Sequence, residues 1–304
     1  MAAMRIATWN VNSLKARMDH VMWWLERAAP DVVLMQETKL TDDDAPLLPF
    51  RMRGYELLHH GEGRWNGVAI ASRGPAEAAS MVTNFGDGPV RNSAPGTNPS
   101  LAEEDFNPFD EARMLSAVID GVRFVSLYAP NGRLVGSPFY AGKLAWFERL
   151  DRWLSDAARE GGPLVVGGDL NVAPEDADVW DAGAVHGGTH VSAPERASFR
   201  ALLQHGLVDG YRSLRPEAQR FSWWDYRAGN FHKNLGMRID HLLLSADLAG
   251  RAVWAEIDRE ARKGKPVPSD HAPVIIDLDE PGIPLDAGWD GALQRIAART
   301  RKPG

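Results

Sequence analysis

The chain has 304 residues, 44% of them hydrophobic and 25% charged, a globular composition that excludes a largely disordered or fibrous protein and permits a sizeable core. It contains no cysteine, which rules out disulfides, thiolate metal sites and thiol nucleophiles and suits a reducing cytoplasm. The formal net charge of -7 argues against a protein that coats nucleic acid through an overall basic surface. No run approaches the roughly 20 apolar residues of a membrane span, and residues 1–5 lead into a strand pattern with no signal-peptide signature; the chain reads as cytoplasmic, with no membrane association.

Short β-branched or aliphatic runs predict strands over residues 5–9, 32–36, 67–72, 114–119, 122–128, 164–168, 239–245 and 274–278. Helical patterns lie between them. One covers residues 14–28 and is stopped by Pro30; a second covers 139–159, with Tyr140, Leu144, Phe147 and Leu154 on one face and Gly161-Gly162 at its end. Ser192 and Glu195 have the spacing of a capping box and open a helix to His205, which Gly206 ends. The class is α/β, with both hairpin and crossover connections.

The Gly/Pro/Asn-rich stretch from Gly86 to Asp110 reads as a long surface insertion, bounded at 85–111. After Leu278 the turn residues Asp279 to Pro284 end the pattern, and residues 287–299 read as a peripheral helix before a basic tail. The organisation is one catalytic domain over 1–279 with a C-terminal extension over 280–304. No tandem repeat is present, but Asn10-Val-Asn12 and Asp169-Leu-Asn171 are alike and hint at two related halves.

Open α/β sheets place their sites at the C-terminal ends of strands, where the loops leave a crevice. Five such ends carry polar residues. Asn10 and Asn12 follow the first strand; Glu37 follows the apolar run 32–35, placed to bind a hard cation that needs only one or two carboxylates. Gly167-Gly168-Asp169-Leu170-Asn171 sets a carboxylate and an amide two residues apart, a pair suited to orienting a water. Asp240 opens the run Leu242-Leu243-Leu244, and Ser269-Asp270-His271 lies between Pro268 and Pro273. A metal, an imidazole and carboxylates supply what phosphodiester hydrolysis requires, and Asp240 is the natural partner to hold His271 cationic. Taken singly, each feature is as well explained as a turn, a loop or a solvated side chain; Tyr128, ending Val125-Ser-Leu-Tyr, reads equally as core or rim. Their shared topological position carries the argument.

Asn10-Val-Asn12, Gln36-Glu37-Thr38-Lys39, Tyr128-Ala-Pro-Asn131, Gly168-Asp169-Leu-Asn171, Trp223-Trp-Asp-Tyr-Arg227, Gly236-Met-Arg-Ile-Asp240 and Ser269-Asp270-His271 together resemble the exonuclease III family of apurinic/apyrimidinic endonucleases, over residues 4–278. The resemblance implies a DNase I-like four-layer α/β sandwich, two packed mixed β-sheets flanked by helices, with Mg²⁺ or Mn²⁺ as cofactor. It implies Glu37 as principal metal ligand with Asn12 and Asp270 close by, Asp169 with Asn171 orienting the water, and His271 paired with Asp240 on a phosphoryl oxygen. Tyr128 and Asn10 would support developing charge. Trp223, Met237 and Ile239 match the family's small apolar pocket for a sugar without its base, and Asn131 and Arg133 match a loop that contacts the duplex. The implied partner is duplex DNA with abasic or blocked 3′ sites, met by a monomer, with 3′-to-5′ exonuclease and 3′-end trimming as accompanying activities. The basic run Arg259, Arg262, Lys263 and Lys265 then reads as a phosphate-facing loop.

Two other readings stand beside this one. Fold does not fix function, and relatives of the wider superfamily cleave RNA, inositol phosphates or sphingomyelin; the segment from Trp223 to Asp240 favours DNA. A catalytically silent DNA-binding protein predicts a broken site, yet every expected catalytic position is filled.

Overall fold

Strands covered on both faces carry two apolar rows, one for each neighbouring layer, and the long strands here do so. In the computed structural model, which describes residues 3–77, 80–86 and 107–286, twelve strands form two six-stranded mixed sheets. The first contains β1 (Met4–Asn10), β2 (Val32–Gln36), β3 (Glu56–His60), β4 (Val68–Ser72), β11 (Ala252–Ile257) and β12 (Val274–Leu278), in the order β11-β12-β1-β2-β4-β3. The second contains β5 (Val82–Thr83), β6 (Met114–Ile119), β7 (Val122–Tyr128), β8 (Leu164–Asp169), β9 (Leu207–Asp209) and β10 (Asp240–Ser245), in the order β5-β6-β7-β8-β10-β9. The expected insertion lies outside the described residues except at its edges, and the helix and tail expected after residue 286 lie wholly outside them.

The sheets stack face to face. Ile6, Leu34 and Ile70 of the first meet Leu115, Phe124, Val165, Leu242 and Leu244 of the second in one buried cluster. The alternate residues face outward. Ala7, Trp9, Val33 and Met35 pack under helix α1 (Met18–Ala28), while helix α2 (Leu47–Arg51) adds Phe50 to the same layer. Val125, Leu127, Val166 and Leu243 pack under α3 (Pro138–Glu160), α4 (Ala182–Val185) lying apart and α5 (Ala193–Leu203) adding Phe199 and Leu202. The result is the expected four-layer sandwich. The β1–β2 and β7–β8 pairs are parallel and joined through α1 and α3; their partners β12 and β10 run antiparallel.

All eight predicted strands are present, those at 32–36, 114–119, 122–128 and 274–278 with the predicted bounds. Four strands escaped prediction: β3, β5, β9 and β11. All four are sheet edges, and β5 has only two residues, so none carries the double apolar row. Helix α1 begins at Met18 rather than residue 14 because Ser13 and Leu14 donate backbone N–H groups to the Glu37 and Thr38 carbonyls, at 2.7 and 3.0 Å. The capping box of α5 forms as expected, with the Glu195 amide donating to Ser192 Oγ and the Ser192 amide donating to Glu195 Oε2.

The inter-sheet core admits little adjustment. A side chain at Gly167 would place its Cβ 2.6 Å from Leu242 Cδ2 and 2.7 Å from Leu34 Cδ1. Leu34→Ala should therefore leave a cavity between the sheets and cost about 2–5 kcal/mol, read as a lowered midpoint in urea unfolding; an unchanged midpoint would show that the two sheets do not depend on this layer.

Candidate active site

The same alternation that builds the core delivers the polar residues to one end of it. Ile6 and Thr8 lead to Asn10, Phe124 and Ser126 to Tyr128, Val165 and Gly167 to Asp169, and Leu244 and Leu242 to Asp240, all on the inward rows. Tyr128, Asp169 and Asp240 are register partners across β7, β8 and β10. Just below them, Gln36 Nε2 donates to Ser126 Oγ at 3.1 Å, bridging the sheets.

Three loops at this end share one turn. The amides of Asn12, Arg133 and Asn171 donate to the side-chain oxygens of Asn10, Asn131 and Asp169, two residues earlier, at 3.0, 3.1 and 2.9 Å. Each donor residue has a positive φ: 44°, 52° and 53°. The likeness of Asn10-Val-Asn12 to Asp169-Leu-Asn171 is thus a repeated Asx turn, which Asn and Asp favour by bonding the backbone two residues on. Glu37 is also left-handed, at φ 52°. Behind it, Thr38 Oγ1 meets His59 Nε2 at 2.8 Å, and His59 Nδ1 meets Asp42 Oδ1 at 2.8 Å.

Asn10 is fully buried, and its Nδ2 donates both to Glu37 Oε1 at 2.8 Å and to Asp169 Oδ2 at 3.0 Å. Lys39 Nζ pairs with Glu37 Oε2 at 2.9 Å and donates to Asn12 Oδ1 at 2.6 Å. His271 Nδ1 bonds Asp240 Oδ2 at 2.8 Å, and His271 Nε2 lies 3.8 Å from Asp169 Oδ2. The other Asp240 oxygen has no partner among the described residues. The triplet that carries His271 is clamped: Ser269 Oγ donates to the Asn10 carbonyl, the His271 amide donates to Ser269 Oγ, and Trp9 Nε1 donates to the His271 carbonyl.

Burial disfavours a charged His271, yet Asp240 and Asp169 outweigh it and push the imidazole up to about 10. Burial raises Asp169, with His271 opposing and Asp240 adding, to about 7. Glu37 stays below its ordinary value: burial opposes ionisation, but Lys39 and Asn10 favour the carboxylate. Tyr128 is held well above 10 by burial and by the Glu37 charge that its hydroxyl meets, so it remains a neutral donor, with the Arg113 guanidinium 4.8 Å from its ring centroid.

Among the described residues, one group of ligating side chains lies with all its atoms within 4.8 Å of one another: Glu37, Asp169 and His271. Asp270 and Asn12, expected near a metal, are bonded to each other at 2.9 Å, and Asp270 also accepts from Trp223 Nε1 at 3.1 Å. Trp223, Met237 and Ile239 converge with Val179 and Val191 in a small apolar cluster. Asn131 Nδ2 donates to Asn171 Oδ1 at 3.3 Å, and Arg133 stacks on Phe139 at 3.7 Å. Every predicted site residue falls on this end of the sandwich or its rim.

The basic run departs from expectation. Arg259 and Arg262 are buried, stacked on Trp224, Phe231 and Tyr226, and Arg262 donates to the Ser269 carbonyl. Arg262 thereby holds the Ser269–His271 loop; Lys263 and Lys265 are exposed. Sequence reasoning also missed Arg113, Lys143 and His190. His190 is buried with its ring 6.3 Å from Trp223, and its Nδ1–H donates to the Asn171 carbonyl at 2.6 Å. Burial and the Lys143 charge hold it neutral, down to about 4. Neither Lys143, inside an amphipathic helix, nor His190, in a polar loop, carries a local signal.

Two sheets with carboxylates, amides and a cationic imidazole at one end define a phosphoester-cleaving site. Residues 7–271 match the endonuclease/exonuclease/phosphatase family. Exodeoxyribonuclease III of Haemophilus influenzae is 30% identical over 280 residues, covering 89% of this chain and 98% of that protein. The solved structure of the 3′ phosphatase NExo from Neisseria, bound to a product DNA hairpin, is 35% identical with a TM-score of 0.80, and an AP endonuclease from Archaeoglobus fulgidus is 32% identical with a TM-score of 0.78; each covers 91% of this chain and 100% of its own. The chain belongs to this family, in its exonuclease III branch, and is a phosphodiesterase of the nuclease type.

The Asp240 carboxylate is the nearest support of the His271 charge. Asp240→Asn should lower the imidazole pKa by more than one unit, measured by NMR titration of the ring; an unshifted titration would mean that Asp169 alone holds the proton.

Proposed function

We propose that the protein is a DNA-repair nuclease that cleaves the phosphodiester 5′ of abasic sites in duplex DNA, with trimming of blocked 3′ ends at the same site. The observation that carries this reading is the Asp169 carboxylate, gripped by Asn10 and Asn171 and facing the His271 cation at 3.8 Å. Asp169 orients the attacking water, helped by Asn171. His271, kept charged by Asp240, holds a phosphoryl oxygen, and Tyr128 and Asn10 donate toward the developing charge.

The donor set suits a hard divalent cation, since it is carboxylate and amide oxygen with a single imidazole that is engaged as a cation. Glu37 would hold Mg²⁺ or Mn²⁺, with Asn12 and Asp270 beside it. When bound, the ion supplies Lewis-acid stabilisation of phosphoryl charge. Trp223, Met237 and Ile239 receive the baseless sugar, whose extrusion costs less because no base is unstacked; Asn131 and Arg133 meet the flanking backbone. Strands of both sheets come from residues 4–278, which supports one catalytic domain over 1–279 with 280–304 as an extension. The protein would act as a cytoplasmic monomer; no helix among the described residues is long and apolar enough to cross a membrane.

A second reading weights 3′-end trimming above abasic incision, and His190 favours it, because its ring lies 6.3 Å from Trp223 and would bound that side of the sugar pocket. Its φ of 73° suits glycine. His190→Gly should raise abasic incision relative to 3′ trimming by about tenfold or more.

Purified protein is incubated with duplexes carrying an abasic-site analogue, a 3′-phosphate or a recessed 3′ end, with Mg²⁺ or chelator. Metal-dependent products are expected, and Asp169→Asn should abolish them while DNA binding persists. No metal-dependent product from any duplex would overturn the reading. The pH profile of kcat/KM should be bell-shaped: activity is lost on the acid side as Asp169, raised to about 7, gains its proton, and on the alkaline side as His271, raised to about 10, loses its own. A profile flat from about pH 5 to about pH 11 is incompatible with these roles.

A further inference from the structure

The water-orienting side of the site rests on a charge that faces away from it. Lys143 lies in the second turn of α3 and is fully buried. Its Nζ donates to the Asn171 carbonyl at 2.7 Å, to the Asn131 carbonyl at 3.4 Å and to Glu195 Oε1. One ammonium therefore ties the loop after β7, the loop after β8 and the start of α5. Glu195 spreads this grip further. Its Oε1 also accepts from the His190 amide and from Thr189 Oγ1, and its Oε2 accepts from the Ser192 amide and hydroxyl.

Asn171 is the residue on which these bonds act. It sits at φ 53°, a left-handed conformation that a non-glycine residue holds only when its surroundings impose it. On one side its carbonyl accepts from Lys143 and His190; on the other its amide donates to Asp169 Oδ1 at 2.9 Å. Its side chain spans the remaining gap, from Ala129 O at 2.9 Å to Asn131 Nδ2 at 3.3 Å. Turning the Asn171 peptides would turn the carboxylate of Asp169. A buried ion pair seldom stabilises a fold more than an apolar pair of the same volume. What apolar side chains in these places cannot do is donate to the two loop carbonyls.

We propose that Lys143, with Glu195 as its counter-ion, is a positioning residue that holds Asn171 in its left-handed turn and thereby aims the Asp169 carboxylate at the attacking water. The inference rests on the reading of Asp169 as the water-orienting group. Neither Lys143 nor Glu195 touches substrate; their effect passes through the two peptide units that flank the Asn171 Cα.

The test compares the parent, Lys143→Met and the double variant Lys143→Met/Glu195→Gln in three measurements: kcat and KM on the abasic-site duplex with Mg²⁺, the midpoint of urea unfolding, and hydrogen exchange of the Asn171 amide. Lys143→Met should lower kcat by about tenfold or more, with KM within about threefold, because misdirecting the carboxylate slows chemistry without removing a DNA contact. It should also speed exchange at Asn171 by about tenfold or more relative to the β8 amides. The double variant, which no longer buries an unpaired carboxylate, should regain the unfolding midpoint but not kcat. A lowered midpoint with kcat within about twofold of the parent would make the pair merely structural and overturn the proposal, as would a double variant that regains kcat along with stability. Unchanged exchange at Asn171 would overturn it without reference to catalysis. A parent inactive on every duplex would instead remove the reading of Asp169, and the exchange measurement would still decide whether Lys143 holds the turn.

Discussion

The site depends on one carboxamide. Asn10 ends β1 of the first sheet, and its Nδ2 donates simultaneously to Glu37 of that sheet and to Asp169 of the other. Two carboxylates brought together in a buried place repel each other and resist ionisation. A fully buried amide supplies a hydrogen to each, its own oxygen occupied by the Asn12 amide, while Lys39 and His271 offset their charges. The inter-sheet spacing, set below by Leu34, Val165 and Leu242, is what brings the amide within reach of both.

Charge is then distributed by partnership rather than by exposure. His271 is buried and yet cationic because it lies between Asp240 and Asp169; Tyr128 is neutral because burial and Glu37 disfavour its phenolate; Glu37 is ionised because Lys39 and Asn10 attend it. Groups of three ordinary solution chemistries thus hold fixed protonation states within one small volume. Around them, the backbone strain is local and shared: Asn12, Glu37, Lys39, Arg133, Asn171 and His190 all have φ between 44° and 73°. Such conformations persist only where surrounding bonds over-determine them, and here those bonds come from Asx turns, from Thr38 with His59, and from the Lys143–Glu195 pair.

Much of this was legible beforehand because burial on both faces writes itself into a strand. The runs 32–36 and 122–128 are mostly apolar, Gln36, Arg123 and Ser126 apart, so their bounds and the residues that end them could be read directly. The Ser192–Glu195 box is local chemistry and formed as expected, whereas the Asx turns at Asn10 and Asp169 were visible beforehand only as a repeated motif. The edge strands β3, β9 and β11 were not legible, since one covered face leaves a mixed pattern. Arg259 and Arg262 were misread for a related reason: a run of basic residues looks the same whether its guanidinium groups meet phosphate or stack on Trp224 and Phe231.

The sequence by itself determined the α/β class and the polar strand ends, which follow from periodicity and short motifs, and, through the resemblance of those motifs, the family and the four-layer sandwich that the family implies. The pairing of Asp240 with His271 was already readable in the sequence; only the tertiary structure decided that Asp169 lies between Asn10 and His271 and that His190 and Lys143 stand beside the pocket and the turn. Those relations join residues from opposite sheets and distant helices. They come from the packing of two twisted surfaces on a shared core, and no local pattern in the chain encodes that distance.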